Sequence, residues 1–172
     1  MSSTRLVTPQ DVPVLVELTR VNRDFLAPYE PVRPDDWFTV PGQRAVIEAA
    51  LAGYQHGTTL PHVILADGRV VGRITLNEIV RGPVQSCSLG YWVSAAENGR
   101  GLATAAVRDM IGTAFADLGL HRLQAGTLLH NTGSQRVLER NGFTRIGVAP
   151  KYLKIAGRWQ DHLLFQLVSD SE

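Results

Sequence analysis

The sequence has few of the features that mark secreted or membrane proteins. It contains a single cysteine, Cys87, so no disulfide can form within the chain and a reducing compartment is expected. The first residues, MSSTRLVTPQD, include no apolar signal-peptide core, and no apolar run approaches the roughly 18 residues that a membrane-spanning helix needs. We therefore expect a cytoplasmic protein without a membrane partner.

Net charge and motif content exclude several further classes. The 17 basic and 16 acidic residues give a formal net charge of +1, which provides no general attraction to nucleic acid, so no direct nucleic-acid contact is expected. The five histidines do not fall at metal-ligand spacing and there is no cysteine pair, so no metal site is predicted. The G-x-S-x-G motif of serine hydrolases is also absent. Cys87 lies in mid-strand and is interpreted as a small core residue.

Apolar residues are present in ordinary amounts. Of the 172 residues 44% are hydrophobic and 19% are charged, which is enough for one domain with a buried core. Helical spacing over residues 8–25 and 43–54 predicts two helices, separated by a rigid loop that contains three prolines. Thr8, Pro9 and Asp11 are typical of a helix start.

Strand-like spacing follows the second helix. Asp67-Gly68 lies between two β-branched runs, which is the strongest short-range signal for a β-hairpin. The turn Arg81-Gly82-Pro83 then leads into another strand over residues 84–93. The chain therefore changes from helices to antiparallel strands after its first third.

The second half alternates helices and strands. An apolar stripe running from Ala103 to Leu118 predicts a helix that begins close to Gly101. The remaining predicted elements are a strand at residues 122–129, a short helix at 133–141 and two strands at 151–155 and 159–168. This order predicts a mixed α+β fold with a largely antiparallel sheet.

The stretch ENGRGLATAA (residues 97–106) places glycines and small residues at the start of that long helix. The first amides of a helix lack partners, so small residues there allow an anion to approach the backbone. The triphosphate motif G-x-x-x-x-G-K-[ST] is absent, and the dinucleotide motif G-x-G-x-x-G would need glycine or alanine where Thr104 stands. The pyrophosphate turn of coenzyme A, [Q/R/N]-x-x-G-x-[G/A], fits Asn98, Gly101 and Ala103. A glycine-rich helix cap without a ligand is the alternative.

Several longer stretches make the chain similar to a known family. They are NRDFLAPYEPV (22–32), VVGRITLNEIVRG (70–82), LGYWV (89–93), NGRGLATAA (98–106), HRLQAGTLLHNTGSQRVLERNGF (121–143) and YLKIAGRWQDHLLF (152–165). On these stretches the chain resembles the GNAT acetyltransferase superfamily, and within it the ribosomal-protein-alanine N-acetyltransferases of the RimJ/RimL type. The resemblance implies a single GNAT domain over residues 1–172, with a mostly antiparallel twisted sheet that splays between strands four and five and is flanked by helices.

The resemblance also implies that acetyl-CoA is the acetyl donor and coenzyme A the product. The pantetheine arm is expected to enter the gap between strand four (residues 89–93) and strand five (residues 122–129). The Val93 N–H is the expected donor to the thioester carbonyl oxygen. For the side chains of Trp92 and Val93 a core position is the alternative. The residues expected at the cofactor are Tyr91, Trp92, Val93, Asn98, Gly99, Arg100, Gly101, Leu102, Ala103, Thr104, Asn131 and Ser134.

Two residues after strand five receive roles from the same resemblance. Asn131 occupies the family position whose side chain bonds the pantetheine amides, although an asparagine before a helix is also a good N-cap. Many members use a tyrosine on the next helix to protonate the leaving thiolate, and this chain has Leu138 at that position. Ser134 is therefore the candidate for that role, with a helix-start serine as the alternative.

Three carboxylates are candidates for the catalytic base, acting directly or through water. Glu30 in the proline-containing loop is the first choice, Glu78 the second and Asp161 the third. The resemblance implies a protein N-terminal α-amine as acceptor, on an alanine or serine of a ribosomal protein. A small-molecule amine and a non-catalytic acetyl-CoA sensor are the alternatives. The chain is expected to act as a monomer or a homodimer.

Overall fold

A seven-stranded sheet forms the centre of the molecule, which a computed structural model describes over residues 1–171. The strands are β1 (Thr4–Leu6), β2 (Leu60–Ala66), β3 (Arg69–Val80), β4 (Ser86–Val93), β5 (Arg122–Leu128), β6 (Thr144–Ile155) and β7 (Arg158–Val168). They lie in the order β1-β2-β3-β4-β5-β7-β6, and each neighbouring pair is antiparallel except β4 and β5. The predicted α+β class with a largely antiparallel sheet is thereby confirmed.

Helices cover both faces of the sheet. They are α1 (Val12–Val21), α2 (Arg23–Leu26), α3 (Val40–Gln55), α4 (Leu102–Gly112) and α5 (Thr132–Arg140), and α4 continues into a π-helical segment, Thr113–Asp117. On one face, Leu15 of α1 and Ile47 of α3 bury Val63 of β2. The next residue, Ile64, points to the opposite face and packs in a larger cluster with Met110 of α4. No helix in the described part of the chain is long and apolar enough to span a membrane.

The β2–β3 hairpin has the turn that its sequence predicts. Asp67 and Gly68 have φ values of 51° and 76°. Positive φ at both central residues suits a two-residue hairpin loop, because its twist matches that of the flanking strands. The Ala66–Arg69 pair closes the loop.

The N-terminal region differs from the prediction in two places. A strand, β1, precedes the first helix, and its three residues are too few to produce a recognisable alternation. The predicted helix over residues 8–25 is instead a 3-10 turn at Pro9–Asp11 followed by α1 and α2. The break falls at Asn22, which is 1% exposed and whose amide nitrogen donates to the Ser94 hydroxyl at 3.0 Å. This long-range bond anchors the residue at which the first helix ends.

Two further elements begin earlier than predicted. α3 starts at Val40 rather than at residue 43, because the Thr39 side chain caps it through the Gly42 N–H (3.1 Å) and Pro41 is tolerated in a first turn. β6 starts at Thr144 rather than at residue 151. Its pairing with β7 shifts register twice, which interrupts the alternation that would have revealed the strand.

Candidate active site

The parallel pair β4–β5 opens into a gap. The two strands are paired at Ser86–Arg122, Cys87–Leu123 and Ser88–Gln124, and beyond these positions they diverge. β4 continues to Val93 and β5 to Leu128 on either side of the gap. The predicted splay between strands four and five is therefore confirmed.

Backbone amides of β4 point into this gap. The Ser94 N–H donates to the Val71 carbonyl of β3 at 2.8 Å. Because successive amides of a strand point to opposite sides, those of Tyr91 and Val93 point away from β3 and toward the gap. The Val93 N–H, the expected donor to a thioester carbonyl, is thus oriented toward the space between the strands.

The glycine turn joins β4 to α4. Gly99 and Gly101 have φ values of 78° and 73°, and a Cβ at either would meet no atom of the described residues within 4 Å. The first hydrogen bond of α4 runs from the Ala105 N–H to the Gly101 carbonyl at 3.0 Å, so the amides of residues 102–104 have no partner within the helix. The helix begins where it was predicted, and its free donors face the kind of open space that admits an anion.

A cleft of about 540 Å³ connects the glycine turn with the β4–β5 gap. Its walls contain all but one of the residues predicted at the cofactor: Tyr91, Trp92, Val93, Asn98, Gly99, Gly101, Leu102, Ala103, Thr104, Asn131 and Ser134. The volume and the mixture of apolar walls with a few polar groups are typical of a site for an organic ligand.

Arg100 is the predicted residue that does not line the cleft. Its guanidinium instead forms ion pairs with Glu97 and, at 3.1 Å, with Asp67 of the β2–β3 hairpin. Glu97 is also 3.6 Å from Arg69, so these charges tie the glycine turn to the hairpin. Arg140, at the end of α5, does line the cleft, although the sequence did not single it out.

Asn131 caps α5. Its side-chain oxygen accepts the Ser134 N–H at 3.2 Å, as the N-cap alternative predicted. Because the oxygen is the capping atom, the NH₂ group of the same side chain is the part that can face a ligand in the cleft. The capping role and a binding role are therefore compatible.

Ser134 is in contact with a tyrosine. The Tyr91 hydroxyl oxygen lies 2.7 Å from the Ser134 hydroxyl oxygen, and both residues line the cleft. Burial raises the pKa of Tyr91 to about 12, although the hydrogen bond to Ser134 lowers it. Leu138 is 0% exposed and belongs to the main core cluster, so that helix position holds no proton donor.

Glu30 lies beside a second, much smaller cavity of about 10 Å³. Leu26 and Trp92 line both this cavity and the cleft. Burial raises the pKa of Glu30, against the effect of Arg33 at 3.7 Å. Arg73 lines the same cavity, and burial followed by the Arg33 charge lowers its pKa. A cavity of this size is just large enough to admit one water beside Glu30.

The other two candidate bases lie elsewhere. Glu78 is exposed and has a φ of 50°, in an irregular part of β3 between the Asn77 and Val80 pairings, and it does not line either cavity. Asp161 accepts the Lys151 N–H at 2.9 Å and thereby holds the irregular pairing of β6 and β7. Glu30 therefore lines a cavity that shares two wall residues with the cleft, whereas Glu78 lines neither cavity.

Aromatic side chains form one wall of the cleft, which the sequence did not predict. Phe25 and Tyr29 come from the segment after α1, and His130 follows β5. The Tyr29 ring lies 6.4 Å from that of Phe25 and 5.9 Å from that of His130. Phe25 and Tyr29 stand in the stretch NRDFLAPYEPV, but no spacing rule places aromatics of this segment in a cleft built from residues far along the chain.

Two buried residues have structural roles near the site. Asn22 accepts the Ala95 N–H at 2.8 Å and donates to Ser94, which fixes the chain just before the glycine turn. Cys87 is buried in the main core, and burial raises the pKa of its thiol to about 12. Such a thiol is a packing residue and not a nucleophile.

Comparisons with known proteins agree with this geometry. The family model described as an acetyltransferase (GNAT) domain matches residues 4–144. The ribosomal protein uS5-alanine N-acetyltransferase of Escherichia coli (strain K12) is 32% identical in an alignment of 171 positions that covers 96% of this chain and 86% of that protein. The probable N-acetyltransferase YjcK of Bacillus subtilis (strain 168) is 38% identical in an alignment of 153 positions that covers 88% of this chain and 84% of that protein.

A solved structure gives the same result. Mycobacterium smegmatis RimJ in complex with CoA-disulfide has a TM-score of 0.94 and 32% identity, covering 97% of this chain and 81% of that chain. Both sequence relatives are named as N-acetyltransferases, and the structural neighbour is a RimJ protein. The chain therefore belongs to the GNAT acetyltransferase family, as an acetyltransferase of the RimJ/RimL type.

Proposed function

We propose that this enzyme transfers an acetyl group from acetyl-CoA to the N-terminal α-amine of a ribosomal protein whose first residue is alanine or serine. The observation that carries the proposal is the cleft at the β4–β5 gap, which combines free helix amides with the Val93 N–H and the Ser134 hydroxyl. The 32% identity to a uS5-alanine N-acetyltransferase supports the choice of acceptor.

Three groups of the cleft suit three parts of acetyl-CoA. The amides of residues 102–104 can bind the pyrophosphate. The gap-facing amides of β4 and the Asn131 side chain can bond the pantetheine arm, and the Ser134 hydroxyl can bond the sulfur. When bound, acetyl-CoA supplies a thioester. The Val93 N–H then donates to its carbonyl oxygen, where negative charge develops as the amine attacks.

Glu30 is the proposed base. An N-terminal α-amine has a pKa of about 7.7–8.0, so a sizeable fraction of it is neutral near physiological pH and a carboxylate acting through one water suffices. Glu30 is preferred to Glu78 because its cavity shares Leu26 and Trp92 with the cleft. The raised pKa of Glu30 also makes it a better proton acceptor than an ordinary glutamate.

Thiol release from acetyl-CoA tests the acceptor class directly. Peptides that copy ribosomal-protein N-termini are compared with the same peptides acetylated beforehand at the α-amine, so that lysine side chains are identical in both sets. We expect release with the free peptides and none with the blocked ones. Equal release from both sets would contradict the proposal and indicate lysine side chains as acceptors.

A lack of release from either peptide set would also contradict it, provided that acetyl-CoA is shown to bind. A panel of amino sugars, polyamines and amino-containing antibiotics then separates the two other readings. Release with one of these would identify a small-molecule acetyltransferase, whereas none with any of them would favour an acetyl-CoA sensor.

Replacing Arg140 with glutamine is expected to raise the KM for acetyl-CoA about 5-fold, because an exposed charge-assisted contact to a phosphate contributes on the order of 1 kcal/mol. Arg140 lines the cleft, and no ion pair is found for it within residues 1–171. Steady-state kinetics at low and high salt provide the measurement, and added salt should reduce the difference.

Arg136→Gln is the matched control for this change. Arg136 lies on the same helix, one turn earlier, and is exposed outside the cleft. It should leave the KM for acetyl-CoA within about twofold of the original value, because its charge is outside the cleft and is screened by solvent. An equal effect of both substitutions would show that Arg140 contributes only general surface charge.

A further inference from the structure

Two hydroxyl groups from opposite walls of the cleft meet at one point. Tyr91 belongs to β4, whereas Ser134 belongs to the first turn of α5. Their oxygens are 2.7 Å apart, the ordinary length of an O–H···O hydrogen bond. The Tyr91 oxygen is also 3.3 Å from the Ser134 carbonyl oxygen, which is a longer and weaker contact. Either hydroxyl can donate in the short contact, and the phenol, as the more acidic of the two, is the better hydrogen-bond donor.

This pairing decides where the serine hydrogen can go. A hydroxyl has one hydrogen to donate and rotates freely unless a partner fixes it. When Tyr91 donates to Ser134 Oγ, the serine keeps its own hydrogen for another acceptor, and both residues line the cleft. The phenol is partly buried, which raises its pKa to about 12, so it stays protonated at ordinary pH. The donor in this pair is therefore available at every pH at which the enzyme works.

We propose that Tyr91 is a positioning residue, which donates to Ser134 Oγ and so directs the Ser134 hydrogen onto the sulfur of the departing coenzyme A. The inference rests on the proposed use of acetyl-CoA in this cleft. The phenol in this role comes from β4 and acts through the serine. The position on α5 at which many family members have a tyrosine holds the buried Leu138.

The step balances without an outside reagent. The amine nitrogen forms a bond to the acetyl carbon, and the carbon–sulfur bond breaks with its electron pair on sulfur. The Ser134 hydrogen bond stabilises the resulting thiolate, and the proton that makes it a thiol is the one the amine loses through Glu30 and water. Tyr91 does not itself give up its proton, because a phenol of pKa about 12 is too weak an acid for a thiolate whose ordinary pKa is about 8.5.

Tyr91→Phe removes the hydroxyl and keeps the ring, which packs against the main core. We expect kcat to fall about tenfold with the KM for acetyl-CoA unchanged within about twofold, the effect of one lost hydrogen bond. Ser134→Ala should lower kcat at least as much, and the double variant should be no slower than Ser134→Ala alone. Tyr54→Phe, at an exposed position on α3, is the matched control and should leave kcat unchanged.

A second donor separates positioning of the leaving group from a merely structural role. The acetyl thioester of an aromatic thiol releases an aromatic thiolate, which is more stable than the thiolate of coenzyme A and needs less help to leave. The Tyr91→Phe variant and the original enzyme should therefore use this donor at equal rates. A structural defect would lower the rate of acetyl transfer from both donors alike. The inference is overturned if kcat with acetyl-CoA is unchanged in Tyr91→Phe, if the two substitutions are additive, or if the aromatic donor shows the same loss.

Coenzyme A alone provides a readout that needs no acceptor. Thiolate absorbance of bound coenzyme A is titrated with pH, and the original protein should ionise the thiol about one pH unit below the Tyr91→Phe variant, the equivalent of the tenfold rate effect. Equal thiol pKa values in the two proteins would overturn the inference. The peptide assay tests the proposed acceptor separately. If that proposal fails, the original protein releases thiol equally with free and blocked peptides, or with neither.

Discussion

Gly101→Val is expected to weaken acetyl-CoA binding about 100-fold, the equivalent of about 3 kcal/mol. Gly101 is the N-cap of α4 with a φ of 73°, and its position in the cleft wall is open enough to receive an anion. A valine side chain would fill that space and hold phosphate oxygens away from the amides of residues 102–104. Hydrogen bonds to a charged group contribute about 1.5–3 kcal/mol each, so losing two accounts for the effect. Calorimetric titration with acetyl-CoA measures it.

Gly57→Val controls for backbone strain. Gly57 follows α3, has a φ of 75° and also has open space around its Cβ position. Both substitutions should cost about 1–2 kcal/mol of folding stability, because a β-branched residue is strained in the left-handed region. Gly57→Val should nevertheless bind acetyl-CoA normally. Normal binding by Gly101→Val, or equal weakening in both, would refute a pyrophosphate site at this turn.

Glu30→Gln is expected to lower kcat about 100-fold at pH 7, within the range that general bases contribute. Glu30 accepts a proton only when it is ionised, so activity should fall as the pH falls through its pKa. Burial raises that pKa, which moves the acid limb of the profile above the value of about 4.3 for an ordinary glutamate. The glutamine variant should lack this limb and recover activity as the α-amine loses its proton at higher pH. A kcat profile from pH 5 to 10 with an alanine peptide provides the measurement.

Glu78→Gln tells the two carboxylates apart. Glu78 is exposed and lies on the irregular part of β3, so its substitution should change kcat by less than about twofold. A large loss in Glu78→Gln with little change in Glu30→Gln would transfer the role of base to Glu78. Full activity in both variants would show that the neutral fraction of the α-amine needs no protein base.

The fold class and the glycine turn were predictable because local residues decide them. Asp67-Gly68 specifies its hairpin through backbone conformation alone, and Gly101 stands at a helix start that the apolar stripe already located. Asn131 was also correctly interpreted as a possible cap. In each case the physical cause lies within a few residues of the motif.

The remainder of the site depends on contacts between distant parts of the chain. Tyr29 and His130 meet across the cleft only when the segment after α1 packs beside the end of β5. Arg100 was predicted at the cofactor, but its guanidinium donates a hydrogen bond to Asp67, which lies 33 positions earlier in the chain. Tyr91 and Ser134 are likewise 43 positions apart. Spacing rules do not reach over such separations, so these pairings needed the structure.

The gap between β4 and β5 has a mechanical consequence. The sheet consists of two blocks, β1 to β4 and β5 to β7, which are joined edge to edge by three residue pairs. A pantetheine arm bonded to both edges would supply the backbone hydrogen bonds that a continuous ladder makes at those positions. Its binding free energy then adds to the cohesion of the two blocks, as for any ligand that binds only the native state. While it is bound, acetyl-CoA would therefore complete the hydrogen bonding of the enzyme's own sheet.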